Sequence, residues 1–152
     1  MTLSRRSLIR QSAGLGLASG MADLLAMLNM AHAGERGPPV PPQKIVPISA
    51  HVSMIKAPDG FPTPENQGLM ANIIFINGQR GVVVVDSGAS VQIAEMAIRQ
   101  LKAAGAKPVI GVINTHYHGD HWLGNQAFVA EYGADLPIYA HAGAREAIAG
   151  AV

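Results

Sequence analysis

Residues 109–125 read VIGVINTHYHGDHWLGN, an apolar run that ends abruptly in a dense polar cluster. Val109 to Asn114 is short, β-branched and almost continuously apolar, the pattern of a strand buried in a sheet. Directly after it come His116, His118, Asp120 and His121. Imidazole and carboxylate are ligands for first-row metals. The chain has no cysteine, so thiolate sites are excluded and zinc, iron or manganese remain. A tight turn, eased by Gly119, brings His116 and His118 towards one ion and Asp120 and His121 towards a second. A carboxylate among imidazoles leaves metal charge partly uncompensated and favours acidifying bound water.

Working outward, the flanking segments predict an α/β layout. Upstream, Leu69 to Ile76 and Gly81 to Val85 read as strands joined at Asn77-Gly78, and the Val82–Val85 run predicts burial on both faces. Ser90 can cap a helix over Val91–Ala104. Its apolar stripe is Val91, Ala94, Ile98 and Leu101, and Gly105 stops it. Downstream, Gly124–Tyr132 and Ala142–Ala149 read as short helices around a strand at Leu136–Ala140. Ile45 to Ile55, broken at Pro47, suits an edge strand or two short ones, and 57–68 is a Pro/Gly loop. Alternation of strands and helices places the chemistry in loops at strand ends.

The 152 residues allow one domain. Formal net charge is +1, which gives no electrostatic footprint for nucleic acid. Arg5, Arg6 and Arg10 lie in a basic opening, followed by a weakly apolar stretch and an Ala-His-Ala at 31–33. These are the regions of a signal peptide, and Ser4 to Arg10 resembles a twin-arginine leader. The expected division is a signal peptide at 1–33, a Gly/Pro-rich linker at 34–43 and a domain at 44–152. Without the leader the 11 basic and 10 acidic residues lose three and one, leaving a formal −1. The expected location is the periplasm or the exterior, with no stable membrane anchor.

His116-x-His118-x-Asp120-His121 after a strand ending Asn-Thr resembles the H-x-H-x-D-H signature of metallo-β-lactamase-fold hydrolases. Val82 to Val85 followed by Asp86-Ser87-Gly88 is similar to that family's strand ending in Asp-(Ser/Thr)-Gly, about 30 residues upstream. Within the family, NTHYHGDHWLGN behind such a leader is similar to exported members linked to sulfur oxidation or quinoprotein pathways. The resemblance covers roughly 45–150 and implies the N-terminal half of an αββα sandwich. It implies His116 and His118 on one Zn²⁺, Asp120 and His121 on another, two zinc ions per complete domain, and a metal-bound hydroxide. That hydroxide would attack an ester, thioester, β-lactam or related bond of a small molecule. Asp120 is the candidate catalytic residue, and Asp86 supports the metal loop or merely turns the chain. An iron-dependent persulfide dioxygenase shares the motif, as would a non-catalytic metal-binding fragment.

The family's later His, bridging Asp and last His have no counterparts after His121, where only Glu131, Asp135, His141 and Glu146 follow. The domain is therefore expected to be incomplete at its C-terminus. It would expose an apolar sheet face for a second half-domain or a homodimer partner. His141 is expected to be structural or to lie at the rim, His51 and His32 are not candidates, and Trp122 either lines the mouth of the site or packs in the core.

Overall fold

The computed structural model describes residues 38–64 and 66–150. The leader expected at 1–33 and the first part of the linker lie outside the described residues. The elements are β1 (Ile45–Pro47), β2 (Val52–Ile55), β3 (Ile73–Asn77), β4 (Val82–Val85), α1 (Val91–Ala103), β5 (Val109–Asn114), α2 (Gly119–Trp122), α3 (Asn125–Tyr132), β6 (Ile138–Ala140) and α4 (Ala142–Ala149). The six strands form one sheet in sequence order. The first four are antiparallel, and β4, β5 and β6 are mutually parallel. Parallel pairs need crossovers, and α1 and the α2–α3 segment provide them.

Local chemistry explains the boundaries. Ser90 Oγ accepts the Ile93 N–H at 3.2 Å, and Gly105 takes a positive φ of 68° just beyond α1. The predicted apolar stripe is present but wider, because Ile93, Met96 and Ala97 are buried as well. The strand expected from Leu69 begins only at Ile73. Leu69 and Ala71 enter the core from a loop, and Asn72 Oδ1 accepts the Ala57 N–H at 2.9 Å. β6 likewise starts two residues later than expected. Pro137 has no N–H for a ladder, while its carbonyl accepts from Val112 N at 2.9 Å. Pro47 is tolerated because β1 is an edge strand. The stretch read as a tether is docked at its described end. Val40 is buried in the core, its carbonyl accepts from the Arg99 guanidinium at 3.1 Å, and Gln100 donates to Gln43 O.

The core lies between one sheet face and helices α1 and α3. Ile55, Ile73, Phe75, Val82, Val84 and Val112 meet Ile93, Ala97, Ile98 and Phe128 there. Each large apolar side chain so buried contributes about 1.5–3 kcal/mol. At the helix pair, Lys102 meets Glu131 at 2.5 Å, and that carboxylate holds the ammonium above its ordinary pKa. The other sheet face is open. Val46, Ile76, Ile113 and Tyr139 are each more than a third exposed, and Val83 and Val85 are only half-buried. The expectation that β4 is buried on both faces is therefore corrected, since among the described residues the helices cover one side only. No described helix is long and apolar enough to cross a membrane.

Candidate functional site

Because β4, β5 and β6 run parallel, their C-terminal ends deliver Asp86, Thr115 and His141 to the same end of the sheet. Asp86 is 6% exposed and adopts φ 60°, a left-handed conformation that Asp tolerates better than most residues. The turn points its carboxylate across to the loop after β5. Oδ1 accepts the Thr115 N–H and Oδ2 the Thr115 hydroxyl, both at 2.8 Å. Oδ2 also meets His121 Nδ1 at 2.7 Å. One buried carboxylate thus ties the start of the 115–121 segment to its end.

These contacts determine which ring nitrogens remain available. An ionised carboxylate only accepts, so His121 donates from Nδ1, and in the neutral imidazole the lone pair then sits on Nε2. The Thr115 hydroxyl gives its only hydrogen to Asp86. Its 3.0 Å contact with His116 Nδ1 is then a bond donated by His116, which in the neutral ring leaves the lone pair on Nε2 there too. Two imidazoles are held in the same tautomer through Asp86.

The free ends of the cluster face one another. His116 Nε2 lies 3.0 Å from His118 Nδ1, and His121 Nε2 lies 3.3 Å from Asp120 Oδ2. The rings of His116 and His121 are 4.0 Å apart between centroids. Among the described residues no three His, Cys, Asp or Glu side chains are set around one common metal position. The four candidates fall instead into two adjacent pairs, His116 with His118 and Asp120 with His121. The second pair opposes a lone pair to a carboxylate oxygen, a repulsive arrangement unless a proton or cation lies between.

The segment carrying these groups is not only a loop. Residues 119–122 form the short helix α2, and His121 N donates to His118 O at 3.1 Å. The His121 carbonyl accepts from Ser87 N at 2.9 Å and from Asn114 Nδ2 at 3.1 Å. Gly124 follows because nothing larger fits: an added Cβ would lie 2.2 Å from Ser87 O and 2.8 Å from Ala94 Cβ. His141 caps α4, its Nδ1 accepting from Gly143 N at 3.2 Å. Trp122 is half-buried and outside the core. Its indole N–H donates to Tyr117 O at 2.8 Å. Thr115 is an intermediary between Asp86 and His116 that the motif spacing does not mark. A hydroxyl beside a histidine tract was the available signal.

Residues 66–146, more than half of the chain, match the sequence profile of the metallo-beta-lactamase superfamily. The chain belongs to that superfamily. Solved metallo-β-lactamases share its fold. The FIM-1 enzyme from Pseudomonas aeruginosa in its mono-zinc form superposes with a TM-score of 0.59 at 21% identity, over 74% of this chain and 48% of that one. The DIM-1 enzyme gives 0.57 at 16%, over 75% and 49%. An enzyme from Pontibacter korlensis gives 0.55 at 19%, over 71% and 47%. Among curated proteins, a linear primary-alkylsulfatase from Pseudomonas sp. (strain ATCC 19151) is 34% identical over 57 residues, 38% of this chain and 11% of that protein. The chain thus spans about half the length of the solved metallo-β-lactamases it matches. Its α/β layout is part of the metallo-β-lactamase fold, and members of this superfamily are hydrolases.

The residues present fit the metal that the superfamily implies. Three imidazoles and a carboxylate lie within one short segment, two rings have an Nε2 freed by hydrogen bonds at Nδ1, and one such nitrogen opposes a carboxylate.

Proposed function

We propose that this chain carries a hydrolytic site in which His116, His118, Asp120 and His121 hold zinc and Asp120 acts as the catalytic base. The observation supporting this most directly is His121. Its Nδ1 proton is directed to buried Asp86, so that the neutral ring offers its Nε2 lone pair beside the Asp120 carboxylate, 3.3 Å away. Zinc bound there would acidify water and polarise the bond under attack.

The chain's own residues do the rest. Asp86 and Thr115 fix His116 and His121 in one tautomer, which removes a reorganisation step from the site. Asp120 is partly exposed at the first turn of α2, and its carboxylate orients the attacking water and receives its proton at an oxygen. The substrate class is a small molecule with an ester, thioester, β-lactam or sulfate-ester bond. The 57-residue likeness to an alkylsulfatase supports adding the last of these. The twin-arginine-like segment at Ser4–Arg10 supports export to the periplasm.

The test is hydrolysis of one representative of each bond type by the full chain, with added zinc and with a strong chelator. Activity on at least one substrate is expected, lost with the chelator and reduced by at least about 100-fold in Asp120→Ala. Hydrolysis that survives both treatments would refute the reading, and so would iron as the only supporting metal.

A further inference from the structure

The 115–121 segment is anchored firmly at its two ends and sparsely at its apex. Thr115 is held by Asp86, and the His121 carbonyl is held by Ser87 and Asn114. Between them, Tyr117 and His118 are both exposed, Tyr117 to 51%. Among the described residues, a single side chain donates to a backbone carbonyl of this apex. It is Trp122, whose indole N–H reaches Tyr117 O at 2.8 Å. The bond spans five residues, from the last position of α2 back over the turn.

Tyr117 is also linked to both neighbouring imidazoles. Its ring lies 4.6 Å from that of His118 at a tilt of 59° and 6.4 Å edge-on from that of His116. Fixing the Tyr117 peptide therefore fixes the direction in which the chain passes from His116 to His118. Without the indole bond, the carbonyl would turn to water and the backbone between the two rings could rotate. The indole makes this bond from outside the hydrophobic core, so its stabilising value to the fold is small.

We infer that Trp122 is a positioning residue for the metal site: its N–H clamps the apex and holds His116 and His118 in register before metal arrives. This rests on the proposed zinc site and adds a residue to it that touches neither metal nor substrate. The clamp acts on the His116–His118 pair, whereas Asp86 acts on His116 and His121.

The chain contains one tryptophan, so global replacement with 3-benzothienylalanine changes this residue alone. That analogue keeps the bicyclic ring and has sulfur in place of the N–H. Zn²⁺ affinity is measured by calorimetry on the full chain, with the apo thermal midpoint recorded in parallel, and Trp122→Phe serves as a second variant. Both forms are expected to bind Zn²⁺ about tenfold or more weakly, within the range for residues that orient ligands. Their apo midpoints should stay within about 2 °C of the wild type, as for a surface change of a few tenths of a kcal/mol. Unchanged Zn²⁺ affinity in the analogue would overturn the inference while leaving the zinc site intact. A midpoint that falls in proportion to the affinity would also overturn it, since the role would then be general stability. Failure of the wild type to bind Zn²⁺ would overturn the zinc site and the clamp together.

Discussion

Replacing Asp86 separates its contribution to folding from its contribution to the site. Its carboxylate accepts three hydrogen bonds of 2.7–2.8 Å while almost wholly buried. In Asp86→Ala all three are lost, and the Thr115 N–H and His121 Nδ1 are left without their shared acceptor. Removing one side of such a network costs about 3–5 kcal/mol. Alanine at φ 60° adds about 1 kcal/mol more. A loss of about 4–6 kcal/mol is a large share of the 5–15 kcal/mol typical of a domain, so urea unfolding should show a much lower midpoint. Asp86→Asn behaves differently. Asparagine tolerates the same backbone conformation, and its Oδ1 still accepts from Thr115, so the cost falls to about 1–2 kcal/mol. Its amide, however, donates where the carboxylate accepted. His121 must then accept at Nδ1 and carry its proton on Nε2, which removes the lone pair opposite Asp120. Zn²⁺ affinity measured by calorimetry should fall 10–100-fold, and nitrogen NMR of the imidazoles should show the changed tautomer. Wild-type affinity with an unchanged tautomer in Asp86→Asn, or a loss below about 1 kcal/mol in Asp86→Ala, would refute the reasoning.

Gly124→Ala should cost about 1–3 kcal/mol in thermal or urea unfolding, because its Cβ would meet the Ser87 carbonyl at 2.2 Å; a neutral result would mean that the two segments part easily. Changing Arg5 and Arg6 together to Lys should block export of the chain, read by fractionation, if the leader uses the twin-arginine route. Unchanged secretion would assign it to the general route.

Much of the α/β order could be read from the sequence because α1 and β5 carry strong local signals. Ser90, the Ala94-Ile98-Leu101 stripe and Gly105 delimit the helix without help from tertiary contacts. Leu69 and Ala71 misled for the opposite reason. They are apolar and buried, yet they lie in a loop before β3, where the Asn72 side chain accepts from the Ala57 N–H. Val40 was hidden by its prolines, since composition cannot show that Arg99 and Gln100 reach that stretch from 57 or more residues away. The candidate ligands were legible as a dense cluster. What orients them was not, because Asp86 lies 29 residues before Thr115 and 35 before His121. The Trp122 bond depends on α2, a helical turn too short to leave a periodic pattern.

The central claim is that His116, His118, Asp120 and His121 form a metal site, and elemental analysis of the purified chain tests it most directly. After equilibration with zinc and removal of the excess, the wild type should retain at least about one zinc per chain, consistent with the donor set. The double variant His116→Ala/His118→Ala should retain markedly less. A wild type that retains no zinc, or a double variant that retains as much as the wild type, would contradict the account.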